Sequence, residues 1–361
     1  MEYSSPVKRR TTRKINLGGL ILGGGAPIAV QSMTNTDTRD VEKTIKQINE
    51  LYQAGCEIIR VAVPDADAAD ALVDIKKKIN IPLVADVHFD HRLALQAIKN
   101  GADGIRINPG NISVPEIRAI IKAAKARETV IRLGVNSGSL QKDVAEKYGG
   151  PTAEALVESS LRNIAVFAEE GFDALKLSLK SSDVPTMIEA YRQIAARTDY
   201  PLHLGVTEAG TVVDAAVKSA LGIGMLLYEG IGDTIRVSVT GSPLLEIPIA
   251  YAILRSLKIR MIGPEIVSCP TCGRCEINLL ALTEKIQKEI SGLRDYFKVA
   301  LMGCVVNGPG EAADADIGIA GGKGSGMLFK KGKVVRKVRE QDFVPVLLAE
   351  IKTMLEEKKE D

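Results

Sequence analysis

Tryptophan is absent and aromatic residues make up only 4% of the 361 positions. The chain therefore has little with which to stack nucleobases, and no nucleic-acid partner is expected. The net charge of +2 is neutral on that point. No run approaches the roughly 18 apolar residues that a membrane span needs. The longest candidate, Leu221 to Tyr228, is short and broken by glycine, so no membrane association is expected. Met1 to Lys14 is basic and polar with no apolar core, which argues against a secretory signal and makes the expected location cytoplasmic. Histidine occurs three times, as His88, His91 and His203, without the spacing of a zinc site on one helix. Cysteine occurs five times, as Cys56, Cys269, Cys272, Cys275 and Cys304. An odd count, with four in one C-terminal window and no export signal, reads as a metal site and not as a disulfide framework.

What is present has a repeating order. The length favours two domains. From Pro27 to Ser256, short β-branched runs alternate with amphipathic helices. The runs are Ile28–Gln31, Glu57–Val63, Leu83–Val87, Gly104–Ile107, Val130–Val135, Ala174–Leu179, Leu202–Val206 and Thr234–Val239. Helices are expected over Val41–Ala54, Asp67–Ile79, Val114–Ala126, Thr152–Glu170 and Val184–Arg197. Eight strand–helix repeats over about 250 residues predict an α/β fold of the (β/α)8 TIM-barrel type, with a doubly wound open sheet as the competitor. The pattern stops at Gly263-Pro264, so the expected domains are 1–260 and 261–361. The second reads as a small α+β unit: a helix at Ile277–Ile290, strands at Lys298–Met302, Asp316–Ala320, Gly326–Phe329 and Lys333–Val338, and a last helix at Val344–Glu357. The glycine-rich Gly321–Gly326 stretch has the wrong order for a phosphate loop and reads as a hairpin.

Read at period two, the strands put polar groups where a barrel normally packs Val, Ile and Leu. Arg60, Arg106 with Asn108, Arg132 with Asn136, Lys176 with Ser178 and Lys180, and Arg236 with Ser238 fall on such positions. Asp86 and His88 share one face of the third strand, and Glu208 follows the seventh. Five strands thus each place a cation among buried neighbours, and an unpaired buried cation costs several kcal/mol. Asp86 and Glu208 are too few to neutralise them. The pattern calls for a polyanionic ligand such as a diphosphate, held at the C-terminal mouth of the barrel.

The cysteines stand in Ser268-Cys269-Pro270-Thr271-Cys272-Gly273-Arg274-Cys275 and Gly303-Cys304-Val305-Val306-Asn307-Gly308-Pro309-Gly310-Glu311. A zinc knuckle fits the first segment, but a ribbon needs a second pair and Cys304 stands alone. A close pair with one distant cysteine suits an iron–sulfur cluster, and Glu311 could add an oxygen ligand. Cys56 reads as a core residue. The basic run Lys330 to Arg339 reads as a solvated strand and turn, or as a docking face for an acidic electron carrier.

These residues carry a family resemblance. Val30-Gln31-Ser32-Met33-Thr34-Asn35-Thr36, Asp86-Val87-His88-Phe89, Arg106-Ile107-Asn108-Pro109-Gly110-Asn111, Gly134-Val135-Asn136-Ser137-Gly138-Ser139 and Gly205-Val206-Thr207-Glu208-Ala209-Gly210, together with both cysteine segments, resemble the bacterial two-domain 4-hydroxy-3-methylbut-2-enyl diphosphate synthases. The resemblance spans nearly the whole chain. It implies a barrel followed by a nitrite/sulfite reductase-like domain carrying one 4Fe-4S cluster, with Cys269, Cys272, Cys304 and Glu311 as ligands and Cys275 as a bystander. It implies reductive opening of 2-C-methyl-D-erythritol 2,4-cyclodiphosphate in isoprenoid biosynthesis, with flavodoxin or ferredoxin as electron donor. It also implies a homodimer whose active site is shared between subunits. In that frame Arg60, Arg106, Asn108, Arg132, Asn136, Ser137, Lys176, Ser178, Arg236 and Ser238 bind substrate. Glu208, Asp86 and His88 are candidates for proton delivery, with Glu208 first, and Glu311 leaves the iron as substrate arrives. The alternatives are a zinc-stabilised barrel that binds a phosphorylated ligand without redox chemistry, and a pterin- or corrinoid-type transferase barrel with an accessory cluster.

Overall fold

The structure, a computed structural model, describes residues 5–88, 90–304 and 314–360. The chain divides into two compact units, Met1–Arg260 and Met261–Asp361.

The first unit begins with a hairpin of β1 (Ile15–Leu17) and β2 (Leu20–Leu22). Eight parallel strands follow: β3 (Ala29–Met33), β4 (Ile58–Ala62), β5 (Leu83–Asp86), β6 (Gly104–Ile107), β7 (Val130–Asn136), β8 (Leu175–Lys180), β9 (His203–Leu204) and β10 (Thr234–Ile235). They are ordered as in the chain, with β10 beside β3, and a parallel bridge from Leu177 to Leu202 joins β8 to the β9 side, so the sheet closes. The helices between them are α1 (Val41–Ala54), α2 (Ala66–Lys77), α3 (His91–Lys99), α4 (Val114–Arg127), α5 (Lys142–Tyr148), α6 (Ala153–Glu169), α7 (Val184–Arg197), α8 (Val212–Tyr228) and α9 (Glu246–Ser256). Local chemistry sets the helix ends. Asp40 accepts from the Lys43 amide at 3.1 Å to start α1, and Gly55 (φ 111°) ends it in a conformation that disfavours any side chain.

Period two then divides the labour within each strand. In β7, Ile131, Leu133 and Val135 are buried toward the helices, while Arg132, Gly134 and Asn136 take the alternate positions. In β8, Leu175, Leu177 and Leu179 alternate with Lys176, Ser178 and Lys180 in the same way. The last two strands are shorter than their sequence pattern predicts. The Arg236 amide still donates to the Leu204 carbonyl at 2.9 Å, but at Gly205 the Arg236 carbonyl comes too close for a side chain and the ladder ends.

The hairpin is not foreseen by the period analysis. Its Ile15, Leu17 and Leu22 form one cluster with Ala29, Ile58, Val84 and Val130, which lie at the N-terminal ends of barrel strands. It therefore floors the barrel and leaves the C-terminal mouth as the other way in.

The second unit is a five-stranded sheet in the order β11 (Glu265–Ser268), β12 (Lys298–Met302), β13 (Ile317–Gly322), β14 (Ser325–Lys330), β15 (Lys333–Arg339). The first three strands are parallel and the last two antiparallel to their neighbours. Helices α10 (Leu279–Ile290) and α11 (Phe343–Glu360) cover one face, and Leu282, Ile286, Val299, Leu301, Ile319, Leu347 and Ile351 pack between. The glycine-rich stretch is a tight hairpin, with Gly322 paired to Ser325 across Lys323-Gly324. Among the described residues no helix is long and apolar enough to cross a membrane.

The floor hairpin makes a direct prediction. Gly18 (φ 54°) faces the Asp103 carboxyl so closely that a Cβ would overlap it at 2.5 Å, whereas Gly19 (φ 94°) has open space. Gly19→Ala is expected to cost only backbone strain, about 1–2 kcal/mol. Gly18→Ala should cost measurably more, read as a lower urea midpoint for the barrel.

Candidate active site

The barrel strands deliver their cations in register. Arg106 pairs with Asp86 on one side and with Arg132 on the other, and Arg132 pairs with Lys176, so four charged side chains start from one level. Arg60 starts nearer the floor, level with Val84, and Lys180 nearer the mouth, level with Asn136. None of Arg60, Asp86, Arg106, Arg132, Lys176 or Lys180 is more than 8% exposed. Glycines make room for them. A Cβ at Gly134 would lie 2.8 Å from Arg106 Nε, and one at Gly205 would lie 2.9 Å from Lys180 Nζ.

One carboxylate anchors the group. Asp86 lies 3.6 Å from Arg60 Nε, 3.4 Å from Arg106 Nη1 and 3.5 Å from His88 Nε2. Burial alone would raise its carboxyl. Arg60, the His88 hydrogen bond, Arg106 and Arg132 outweigh that and hold it well below the usual carboxylate range. Arg106 Nη1 also lies 2.9 Å from His88 Nε2. Asn108, buried beside them, accepts from the Gly110 amide at 3.1 Å. Ser178 is buried, whereas Ser137 and Ser238 are half-buried beyond the ends of β7 and β10.

The remaining charge is not balanced. Arg106 Nε, Arg132 Nε and Nη1, Lys176 Nζ and both amide atoms of Gln31 are buried without a hydrogen-bond partner. Buried polar atoms are nearly always satisfied, so a cluster of exceptions marks a place built for a ligand. Burial and the like charges of Arg132 and Arg60 push Lys176 down to about 7. Lys180 is driven well below its ordinary value by burial and by Arg132, Arg60, Arg236 and Arg106. Burial brings Arg60 down to about 10 despite Asp86, and Arg132 falls well below its ordinary value, through burial first and then Arg60 and Arg106.

Three expectations need correction. Arg236 is not a free member of the ring: its guanidinium pairs with Glu246 at 2.9 Å, and Glu246 also accepts from Ser32 at 2.7 Å. Glu208 is not the second internal carboxylate. It is exposed, just past β9, in a left-handed conformation (φ 52°), and Glu246 holds that position instead. Lys180, on the same strand face as Lys176, belongs with the buried cations although the five-residue ring left it out. Glu246 escapes strand-based reasoning because it starts helix α9; an acid opening an otherwise apolar helix was its signal. His203 is a buried residue whose Nδ1 meets Thr234 Oγ1 at 2.8 Å, while its Nε2 has no partner. His91 heads α3 and pairs with Glu116 at 2.8 Å. Cys56 is core: burial pushes its thiol up to about 12, and it donates to the Ile58 carbonyl at 3.1 Å.

In the second unit, Cys269 and Cys304 follow neighbouring parallel strands, β11 and β12, and so leave the sheet at the same end. The Gly303 amide donates to Cys269 Sγ at 3.3 Å. Cys272 is exposed, and hydrogen bonding from the Arg274 backbone lowers its thiol below the ordinary value. Amide donation and a lowered thiol both favour thiolates, the form an iron–sulfur centre requires, so these residues fit the group. Cys275 differs: its Sγ donates to the Ile277 carbonyl at 3.2 Å and fills the space where a Gly303 side chain would stand. All five cysteines are free. Among the described residues no group of three or more His, Cys, Asp or Glu side chains converges to hold a metal, and Glu311 lies outside the described residues.

Comparison with known proteins decides the family. Residues 12–251 match the GcpE TIM-barrel domain and residues 265–353 the GcpE protein C-terminal domain. The 4-hydroxy-3-methylbut-2-en-1-yl diphosphate synthase (flavodoxin) of Thermodesulfovibrio yellowstonii is 55% identical over 96% of this chain and 99% of its own length. The chain belongs to the GcpE family. The GcpE relative from Clostridium tetani, of the same description, is 56% identical over 96% of this chain and 99% of its own length. A sialic acid synthetase structure from Leptospira borgpetersenii covers 70% of this chain and 91% of its own, at 13% identity and a TM-score of 0.50, which speaks to the barrel fold alone.

The unpartnered Lys176 in this GcpE barrel generates a prediction. Burial first, and then Arg132 and Arg60, bring its ammonium down to about 7. An anion bound beside Nζ would raise that value, so binding at pH 8 takes up a proton, and affinity falls as pH rises above 7. Calorimetry with inorganic pyrophosphate at pH 8 should give heats that depend on the buffer's ionisation enthalpy. Lys176→Met should reduce that dependence and leave the share that Lys180 supplies.

Proposed function

We infer that this chain catalyses the reductive ring opening and dehydration of 2-C-methyl-D-erythritol 2,4-cyclodiphosphate to (E)-4-hydroxy-3-methylbut-2-enyl diphosphate, as its relatives' names describe for their product. The observation that carries the reading is the surplus of buried, unpartnered cations inside the barrel. Arg60, Arg106, Arg132 and Lys176, joined by Lys180, hold the diphosphate, and arginine forks suit its oxygens. Asn108, Asn136, Ser137, Ser178 and Ser238 complete the polar lining toward the mouth, with Arg236 steadied by Glu246. Asp86 stays ionised among its cations and therefore acts as an anchor, not as a proton donor. Glu208, exposed beyond β9, and His88, beside Asp86 and Arg106, are the groups left to deliver protons.

One 4Fe-4S cluster per chain is held by Cys269, Cys272, Cys304 and Glu311. When bound, it supplies single electrons and an exchangeable Lewis-acid iron. Cys275 is turned to the Ile277 carbonyl and is not a ligand. Two electrons and two protons enter and one water leaves, counting acid forms. The electrons come from flavodoxin, named in the relatives' descriptions, or from ferredoxin. The working form is a cytoplasmic homodimer in which the cluster-bearing unit of one chain serves the barrel of the other.

Protein purified without oxygen is expected to be brown and to contain about four irons per chain. It should convert the cyclodiphosphate with a viologen reductant. A colourless protein with stoichiometric zinc would defeat this reading in favour of a zinc-stabilised barrel. Glu311→Ala should keep most of the iron and lose turnover on the order of 100-fold. Cys275→Ser should change neither by more than about twofold, and the reverse pattern would overturn the ligand assignment.

A further inference from the structure

We propose that the exposed edge strand β15, through Lys333, Lys337 and Arg339 with Val335 between them, is the docking strip for an acidic one-electron carrier. The inference rests on the redox reading above and adds the surface through which the electrons enter.

The geometry begins with alternation. Val338 joins the core under the helices, and Arg336 pairs with Glu350 of α11 at 3.2 Å, so these two side chains turn toward α11. A β-bulge at Val335 breaks the alternation: Val334, Lys337 and Arg339 face away from α11, Lys333 stands opposite Lys330 on the α11 side, and all of them, with Val335, are exposed along this edge. Arg339 shares its charge with Asp342 at 2.8 Å, but among the described residues neither Lys333 nor Lys337 has an ion pair. Lys333 also stands directly opposite Lys330 across the β14–β15 pair, so like charge gathers along this edge.

Lysines on an edge strand also serve to block strand-to-strand aggregation. That role does not account for Val334 and Val335, which are 56% and 50% exposed in the middle of the strip. An edge designed only to repel other chains would not present two β-branched residues at its centre. An apolar centre with a charged rim is the composition of a transient interface, and a cationic rim fits an acidic partner.

Topology places the strip. Strand β15 is antiparallel to β14, which is antiparallel to β13, and β13 is parallel to β12. The C-terminal end of β15 therefore lies at the sheet end where Cys269 and Cys304 leave β11 and β12. Three strand spacings, about 15 Å, separate β12 from β15. Lys323, exposed in the β13–β14 turn, stands at that same end. A carrier docked there passes one electron at each visit, so two reduced carriers are oxidised by one electron each per turnover.

The test compares the wild-type holoenzyme with Lys333→Glu/Lys337→Glu and the milder Lys333→Gln/Lys337→Gln. Three quantities are measured: the Kd for oxidised flavodoxin by calorimetry, flavodoxin-driven turnover from low to high salt, and turnover driven by reduced methyl viologen. The reversal variant should weaken flavodoxin binding and raise its KM by about tenfold or more at low salt, and flatten the salt dependence. The neutral variant should fall between. Iron content and viologen-driven turnover should stay within about twofold of wild type. Unchanged flavodoxin Kd and KM would overturn the proposal, as would equal losses with flavodoxin and viologen. Absence of viologen-driven turnover in the wild type would sink the redox reading itself and is a separate result.

Discussion

Burial of like charge inside the barrel is the constraint on which the rest of this structure turns. Each unpaired buried ion costs several kcal/mol, and a whole domain is stable by only about 5–15 kcal/mol. Arg60, Arg106, Arg132, Lys176 and Lys180 cannot all be charged, dry and unpaired. Two devices reduce the cost. Asp86 sits between Arg60 and Arg106 and is itself held ionised by them. The lysines yield where the arginines cannot, because an ammonium can shed its proton and a guanidinium in practice does not. The choice of lysine at 176 and 180 is thus part of how the barrel tolerates its own buried charge. The remaining deficit makes ligand binding and fold stability two sides of one equilibrium.

Stability is supplied from the other face of the same strands. Ile131, Leu133 and Val135 in β7, and Leu175, Leu177 and Leu179 in β8, are buried beneath the helices, one residue away from each cation. The hairpin floor adds Ile15, Leu17 and Leu22 across the strand starts. A barrel core in the ordinary sense is therefore confined to the bottom and the outside. The upper interior is given to polar side chains and to the glycines, Gly134 and Gly205, that leave room for long ones.

Much of this was legible in the sequence because the signals were local. Helices α1 and α7 begin and end where expected, since Asp40 and Asp183 cap them and the apolar period is clear. The cation pattern survived because period two is enforced wherever one strand face is buried. What escaped was non-local or too short. Strands of three residues, Ile15–Leu17 and Leu20–Leu22, carry no readable period, so the floor was missed. Glu246 lies in a helix and reaches Arg236 only through the fold. Glu208 stands beside a strand in the sequence, which suggests an internal carboxylate, but it adopts a left-handed conformation and is exposed. The ends of β9 and β10 were overextended because nothing in a β-branched run reports how near the neighbouring backbone comes.

The cysteines show how far spacing alone can be pushed. Cys269, Cys272 and Cys275 are evenly spaced, and spacing treats them alike. Hydrogen bonding does not. The Gly303 amide donates to Cys269 Sγ, an arrangement that stabilises negative charge on sulfur and so favours the thiolate a metal takes. Cys275 Sγ instead donates to the Ile277 carbonyl at 3.2 Å. Two thiols six residues apart thus meet opposite backbone partners, one an N–H and the other a C=O. That distinction, not proximity along the chain, is the physical reason for reading Cys269 as a ligand and Cys275 as a packing residue. The same packing explains why Gly303 is glycine: the space its side chain would occupy is already filled by the Cys275 thiol.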